Sequence, residues 1–342
     1  MVGSVTAVKE IKLKEFISKP DGNTKYGENE LYMDKSFWDI NYVLTEYFEE
    51  GKKSQNQSLI YGSQRITDIN KGDEVLIFTP AYDCYEPTIS LFGGKTISIQ
   101  LPAPNFTIDW EEVKNKITTK TKLIIINSPH NPSGSVLLKE DLVALQEIVV
   151  KNDLVVISDE VYEHIIFDGI KHQSVALYEE LSNRSFIVAS FGKTFHNTGW
   201  KVGYCVAPKY LMKEFQKIHQ FNVFSVNHPV QKALATYLKT ASHYLKLPDF
   251  YQKKRDFFIS EMQDSGFQIV PSRGTYFQLL DFSKISNKGD VDFAEELTKK
   301  HGIATIPTSV FNKEGVDYKV LRVCFAKKEE TLRRATQILR NL

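Results

Sequence analysis

From residue 74 onward the chain alternates between two hydrophobic rhythms. Short β-branched runs at 74–79, 96–101, 122–127, 154–159, 185–190 and 203–206 are separated by stretches with helical spacing, such as 139–151. Runs like LIII (123–126) and LVVI (154–157) are apolar at every position, not at every second one. Strands of that kind are buried on both faces, so the pattern predicts an α/β unit with a mostly parallel sheet and helical crossovers. The polar stretches NSPHNPSG, DEVYEH and SFGKTF all begin where such runs end. Open α/β sheets bind ligands outside the carboxyl ends of their strands, which makes these stretches the candidate site.

Beyond about residue 228 the rhythm changes to longer helices at 228–242 and 249–266, strands at 275–281 and 320–326, and a terminal helix from Glu329. This predicts a smaller α+β domain. The joining segment FNVFSVNHP (221–229) lacks linker composition, so the domains are expected to pack closely. The division reads as an N-terminal segment 1–56 belonging with the small domain, a large domain 57–228 and a C-terminal small domain 229–342. Within the first 73 residues, helical spacing is visible at 37–50 and a polar breaker run at 51–57. The step from 65–67 to 72–73 leaves no room for a helix before the strand at Glu74.

Composition narrows the function classes. A chain of 342 residues with 42% hydrophobic content can bury a large core. Its 43 basic and 42 acidic residues leave a formal net charge of +1, so no overall field points to nucleic acid or an anionic membrane. Cys84, Cys205 and Cys324 are far apart with no CxxC spacing, and the eight histidines show no ligand spacing, so neither a disulfide framework nor a metal site is expected. A reducing, cytoplasmic setting fits. The first residues show no signal-peptide apolar region, and no stretch approaches the roughly 18 apolar residues of a membrane span.

The polar stretches hold residues whose chemistry admits two readings each. Lys193, in SFGKTF, is a solvated loop lysine or a partly desolvated amine suited to attack an aldehyde. Asp159, ending LVVISD, caps the following EVYEH turn or faces a cationic partner such as a protonated pyridine nitrogen. Tyr162 is a core tyrosine or, on a helical turn with Asp159, a phenol near a cofactor oxygen. Asn131, held between Pro129 and Pro132, is an Asn-Pro turn or a side-chain amide donating to a ring oxygen. Arg322, inside the apolar run VLRVCFA, needs an internal salt bridge or a substrate carboxylate. Tyr82, just beyond Pro80, is a hydrophobic wall or a stacking ring. Ser190 and Lys201 bracket Lys193 and have the groups to bind a phosphate.

Taken together and in order, HNPSG (130–134), SDEVYEH (158–164), SFGKTFHNTGWKVGY (190–204), GTYF (274–277) and LRVCFA (321–326) resemble the class I and II aminotransferases of fold type I, in the methionine, glutamine and kynurenine aminotransferase branch. The resemblance runs from about Gly72 to Leu342. It implies a pyridoxal 5'-phosphate enzyme with Lys193 as Schiff-base lysine and proton shuttle, Asp159 on the pyridine nitrogen, and Asn131 and Tyr162 on the ring oxygen. Tyr82 would stack on the ring, Ser190 and Lys201 would hold the phosphate, and Arg322 would hold the substrate carboxylate, with Asn131 beside it. It further implies a homodimer and a ping-pong transfer of the amino group from a bulky apolar, sulfur-containing or aromatic L-amino acid to a 2-oxo acid. A carbon–sulfur β-lyase on the same scaffold is the alternative enzyme.

The sequence departs from this family at one place. A Gly-Ala-Thr-Glu-Ala type phosphate loop and its helix are expected before the strand at Glu74, and nothing between Ile66 and Gly72 matches them. The family's glycine-rich N-terminal substrate segment is likewise not recognisable in residues 1–73. The downstream motifs being intact, the lack is read as a stretch missing from the sequence, not as loss of cofactor binding. It keeps open a further reading, a non-catalytic binding protein of the same fold.

Overall fold

The computed structural model describes residues 31–33 and 71–342. The helix expected at 37–50, the phosphate-loop stretch up to residue 70 and the rest of the N-terminal segment lie outside the described residues.

The large sheet contains β1 (Leu31–Met33), β2 (Glu74–Thr79), β3 (Lys95–Gln100), β4 (Thr121–Asn127), β5 (Val155–Asp159), β6 (Ser185–Ser190) and β7 (Gly203–Pro208). They lie in the order β1-β7-β6-β5-β4-β2-β3. Strands β2 to β6 are mutually parallel, whereas β7 runs antiparallel to β6 and β1 antiparallel to β7. The apolar runs explain the architecture. Successive residues of β5, Val155, Val156 and Ile157, are all buried, but they face different layers: Val156 joins the cluster of Leu76, Ile124 and Leu145, while Val155 and Ile157 join that of Ile77, Ile125 and Phe215. Helix Lys139–Asn152 covers the first face through Leu142, Leu145, Ile148 and Val149. Helices Tyr85–Leu91 and Lys209–Asn222 cover the second, through Tyr85, Ile89, Leu211 and Phe215. Each fully buried aliphatic side chain contributes about 1.5–3 kcal/mol relative to exposure, so a strand that is apolar throughout has a partner layer for every residue.

The second sheet is smaller and antiparallel. It comprises β8 (Phe277–Asp281), β9 (Ile306–Pro307) and β10 (Val320–Cys324) in the order β8-β10-β9. On β10, Leu321, Val323 and the following Phe325 enter a core formed with helices Leu247–Glu261, Asp290–His301 and Glu329–Leu339, through Phe258, Leu297 and Leu332. Arg322, between them, turns to the other side, where its guanidinium meets Asn131.

The strands agree with the apolar runs to within two residues at either end. Two helices differ more. The helical spacing at 228–242 breaks after Tyr237 at a turn and resumes as a single turn, Ser242–Leu245. The helix expected at 249–266 spans Leu247–Glu261, with Pro248 in its first turn, and the chain leaves it through Asp264 at φ 66°. The EVYEH stretch is a pair of tight turns closed by Glu163 N to Glu160 O and Ile165 N to Tyr162 O, not a helix.

A clasp ties three of the sequence motifs together. Arg273 N and Gly274 N both donate to Gly134 O at 3.0 Å, Phe167 N donates to Arg273 O, and Thr275 N to Ile165 O. The backbones approach so closely that a Cβ on Gly274 would lie 2.6 Å from the Pro129 ring, and one on Gly134, at φ 73°, 2.6 Å from Ser272. Glycine is required at both places for space, and at Gly134 for conformation as well.

Candidate active site

In the large sheet β3 lies on one side of β2 and β4 on the other, so the connections diverge at the carboxyl ends of β2 and β4. A cavity of about 620 Å³ opens in the neighbourhood of this switch point. Every residue singled out from the sequence except Arg322 lines it: Tyr82 after β2, Asn131 after β4, Asp159 and Tyr162 at and after β5, Ser190 and Lys193 at and after β6, and Lys201 before β7. Residues spread over 120 positions converge because parallel strands end on the same edge.

Asp159 is buried, with 3% exposure. Its Oδ1 accepts from Val161 N at 3.3 Å, and its Oδ2 accepts a very short hydrogen bond from the Tyr85 hydroxyl. Its backbone carbonyl accepts from Asn127 Nδ2 at 2.9 Å and from Ser128 N at 3.1 Å. The local capping reading is therefore half right: one oxygen serves the turn, while the carboxylate still faces the cavity. Burial pushes the Tyr85 phenol well above its ordinary pKa, and the charge of Asp159 adds to this.

Lys193 is half-buried, and its Nζ stands 5.9 Å from the centre of the Tyr162 ring. Among the described residues it has no hydrogen bond or ion pair. It sits in the short helix Phe191–Thr194, capped by Ser190 Oγ accepting from Gly192 N at 3.2 Å. Lys201, exposed at the rim, is in the left-handed region at φ 52° and turns the chain from a 3-10 turn into β7. Tyr162 is buried, edge-on to Tyr276 at 5.3 Å. Burial first, and then the Tyr276 phenol, raise its pKa well above the ordinary value.

Arg322 approaches from the small sheet. Its Nη1 donates to Asn131 Oδ1 at 2.6 Å, and its guanidinium lies 4.1 Å from the Phe277 ring centre and 5.1 Å from that of Phe311. The salt bridge offered as one reading of Arg322 is not found among the described residues. Desolvation lowers its pKa from the usual guanidinium value, as expected of a cation held against two rings without a carboxylate. The Asn131 backbone N–H also donates to Asn127 Oδ1 at 2.8 Å, which holds the main chain from which its side-chain amide projects.

Several contributors were missed in the sequence. Asn127 is the last residue of the apolar run of β4 and could have been found by the strand-end rule that picked Asp159. Tyr85 and Phe311 carried no signal beyond aromaticity, whereas Phe277, in GTYF, and Thr198, in SFGKTFHNTGWKVGY and on the cavity wall, lay in recognised motifs and were not singled out.

An open α/β sheet places a buried carboxylate and a lysine without an ion pair among the described residues at one crevice, with an arginine hydrogen-bonded to the crevice residue Asn131. The chain belongs to the aminotransferase class I and II family, whose model matches residues 56–339. It is 47% identical over 275 residues to the methionine aminotransferase of Escherichia coli K12, covering 80% of this chain and 71% of that one. It is 31% identical to human kynurenine–oxoglutarate transaminase 3 over 338 residues, covering 88% and 74%. Among solved structures, an Escherichia coli methionine aminotransferase superposes with a TM-score of 0.82 at 42% identity, covering 92% of this chain and 78% of that one. The aromatic aminotransferase of Pyrococcus horikoshii gives 0.79 at 28% identity, covering 92% and 79%.

Aminotransferases of this class use pyridoxal 5'-phosphate. The donor set of the cavity fits that group. It supplies an amine for an aldehyde, a carboxylate for a ring nitrogen, an amide and a phenol for a ring oxygen, an aromatic wall, and a hydroxyl with an ammonium for a phosphate.

Proposed function

We propose that this crevice performs amino-group transfer from a bulky apolar, sulfur-containing or aromatic L-amino acid to a 2-oxo acid, in two half-reactions at one site. The observation that carries the reading is the pair of cations, Lys193 and Arg322, which have no anionic partner among the described residues while a buried carboxylate lies at the cavity wall. The names of the relatives, methionine aminotransferase and kynurenine–oxoglutarate transaminase, support the substrate class. Among the described wall residues the cations are Lys193 and Lys201, and no arginine stands ready for an acidic side chain.

Bound there, pyridoxal phosphate supplies an aldehyde to carry the amino group and a ring to accept the electron pair left at substrate Cα. Asp159 would hold the ring nitrogen, Asn131 and Tyr162 the ring oxygen, Tyr82 the ring face, and Ser190 and Lys201 the phosphate. Arg322 forks onto the substrate α-carboxylate, and the Phe277 and Phe311 rings hold its guanidinium in place. Lys193 Nζ would take the proton from substrate Cα and deliver it to the cofactor carbon that receives the amino group, leaving the substrate as its 2-oxo acid. The two sheets support the division at 228–229, whereas 56–57 lies outside the described residues and β1, within the segment 1–56, pairs with β7 of the large sheet. A homodimer is supported by the exposure of Trp200, Phe221 and Phe224, three large apolar side chains at or beyond the lysine loop. The three cysteines form no disulfide, which suits a reducing cytoplasmic setting.

The test is the visible spectrum after adding pyridoxal phosphate and removing the excess. The expected result is an absorption band that is absent in Lys193→Ala and bleaches on adding methionine or phenylalanine, with the matching 2-oxo acid released. The rate of Lys193→Ala is expected to fall by about 10⁴, the upper range for a positioned acid–base group. No band in the wild-type protein would remove the reading, and a preference for aspartate would remove the substrate class.

A further inference from the structure

Tyr85 reaches the carboxylate of Asp159 from the side away from the substrate. It is the first residue of helix Tyr85–Leu91, 3% exposed, and it touches a separate small apolar cavity behind β4 instead of the crevice itself. Its ring is fixed edge-on against Tyr82, centre to centre at 5.7 Å and inclined at 78°, and its hydroxyl donates to Asp159 Oδ2. Asp159 Oδ1 also accepts from Val161 N, and its backbone carbonyl accepts from Asn127 Nδ2 and Ser128 N.

A carboxylate facing a pyridine nitrogen can share one proton in two ways, as carboxylate with pyridinium or as carboxylic acid with neutral pyridine. Burial favours the uncharged pair. Each donor on the carboxylate favours the charged pair, and a phenol is a stronger donor than a backbone amide. The charged pair is also the one in which the ring is a strong electron acceptor. Resting on the assignment of Asp159 to the ring nitrogen, we propose that Tyr85 is a positioning residue that fixes this proton on the ring nitrogen. Tyr85 itself stays protonated, since burial and the neighbouring Asp159, Cys84 and Tyr82 all disfavour its phenolate. Among the described residues the titratable groups around the pair include Tyr82 and Cys84 beside Tyr85, His130 on the same small cavity, Tyr162 beyond Asp159, and Lys193 above Tyr162. Among these, Tyr85 is the one whose hydroxyl is seen to donate to the carboxylate.

The experiment is nitrogen NMR of the holoenzyme loaded with pyridoxal 5'-phosphate labelled with ¹⁵N in the ring. Wild type, Tyr85→Phe, Asp159→Asn and a protein with 3,5-difluorotyrosine at position 85 are compared, with circular dichroism and thermal melting to confirm folding. Wild type is expected to show a pyridinium resonance and Asp159→Asn a neutral pyridine one. Tyr85→Phe, which keeps the ring and its packing, is expected to move toward the neutral value, and the more acidic fluorinated phenol to hold or strengthen the pyridinium. In steady state Tyr85→Phe is expected to lower kcat about ten- to hundredfold, the worth of a hydrogen bond to a charged group, with KM nearly unchanged. An unmoved ring resonance in folded, cofactor-loaded Tyr85→Phe overturns the proposal alone. A wild-type protein that takes up no labelled cofactor overturns the assignment of the site and the proposal with it.

Discussion

The two sheets deliver chemistry to the same crevice by opposite means. The large sheet is buried on both faces at β4, β5 and β6, so the middles of these strands are apolar and Asn127, Asp159 and Ser190 come at their carboxyl ends. The small antiparallel sheet has one face on its own core and one toward the large domain, so β10 can place Arg322 in mid-strand between Leu321 and Val323. Position on a parallel strand is set by where the strand stops; position on the antiparallel strand is set by the alternation of faces. The first arrangement holds its groups through the whole sheet, the second through a single register.

Core truncation separates the two most widely. Ile157→Ala in the large sheet and Leu280→Ala in the small one each remove a fully buried aliphatic side chain and are expected to cost about 2–5 kcal/mol, measured by urea unfolding. Only Leu280→Ala, which loosens the strand paired with β10, is expected to raise KM as well. Equal KM effects from both would break the distinction. Next in size is Arg322→Lys, which keeps the charge but loses the fork. It is expected to raise KM for amino and oxo acid alike by about ten- to a hundredfold, equivalent to roughly 1.5–3 kcal/mol, while the cofactor band persists. A loss of the band instead would mean that the small sheet holds cofactor and not substrate.

The clasp between the domains gives a smaller effect. Gly274→Ala drives a methyl into the Pro129 ring, which has no rotamer to escape to, and is expected to cost about 1–3 kcal/mol in thermal unfolding. Gly302→Ala, a glycine in open space at the end of a small-sheet helix, carries only its φ of 70° and serves as the control without a clash. Over a single pH unit the effect on acid stability is of comparable size. Burial lowers His130 to about 4 and His164 to about 3, both around the large sheet. The unfolded chain takes up those protons near pH 6.5, whereas the native chain refuses them. Stability is therefore complete above pH 6.5 and falls as the pH drops toward 4, by at most about 1.4 kcal/mol per pH unit for each histidine. The urea midpoint at pH 5.5 should lie below that at pH 7.5, and His164→Gln should flatten the slope.

The same contrast explains what was legible in the sequence. Continuous apolar runs mark the parallel strands, and polar residues at or just after their ends fall on the crevice, which is how Asp159, Ser190 and Asn131 could be picked, while Asn127, the residue at the end of β4, was passed over. Tyr85 was not, because a tyrosine in a helical first turn looks the same whether its hydroxyl meets solvent or a carboxylate. Phe277 and Phe311 were missed for a related reason: their contact with Arg322 spans residues brought together only by the pairing of β8 with β10 and the docking of Phe311 O on Ala81 N. The turn at EVYEH was misjudged as helical because Asp159 spends one oxygen on Val161 N, as a helix cap does, without a helix following.

Strands β6 and β7 differ from their neighbours in running antiparallel, with Ser190 opposite Gly203. The segment 191–202 that carries Lys193 thus starts and finishes at one point of the sheet, whereas every parallel crossover must travel the length of the molecule. Such a closed excursion is an exchangeable cartridge. Its sequence can be replaced by that of a relative, or lengthened at a modest entropic penalty, without shifting the register of any strand. Transplanting this piece is the cleanest way to ask how much of the reactivity of the lysine travels with its own loop and how much stays behind in the sheet.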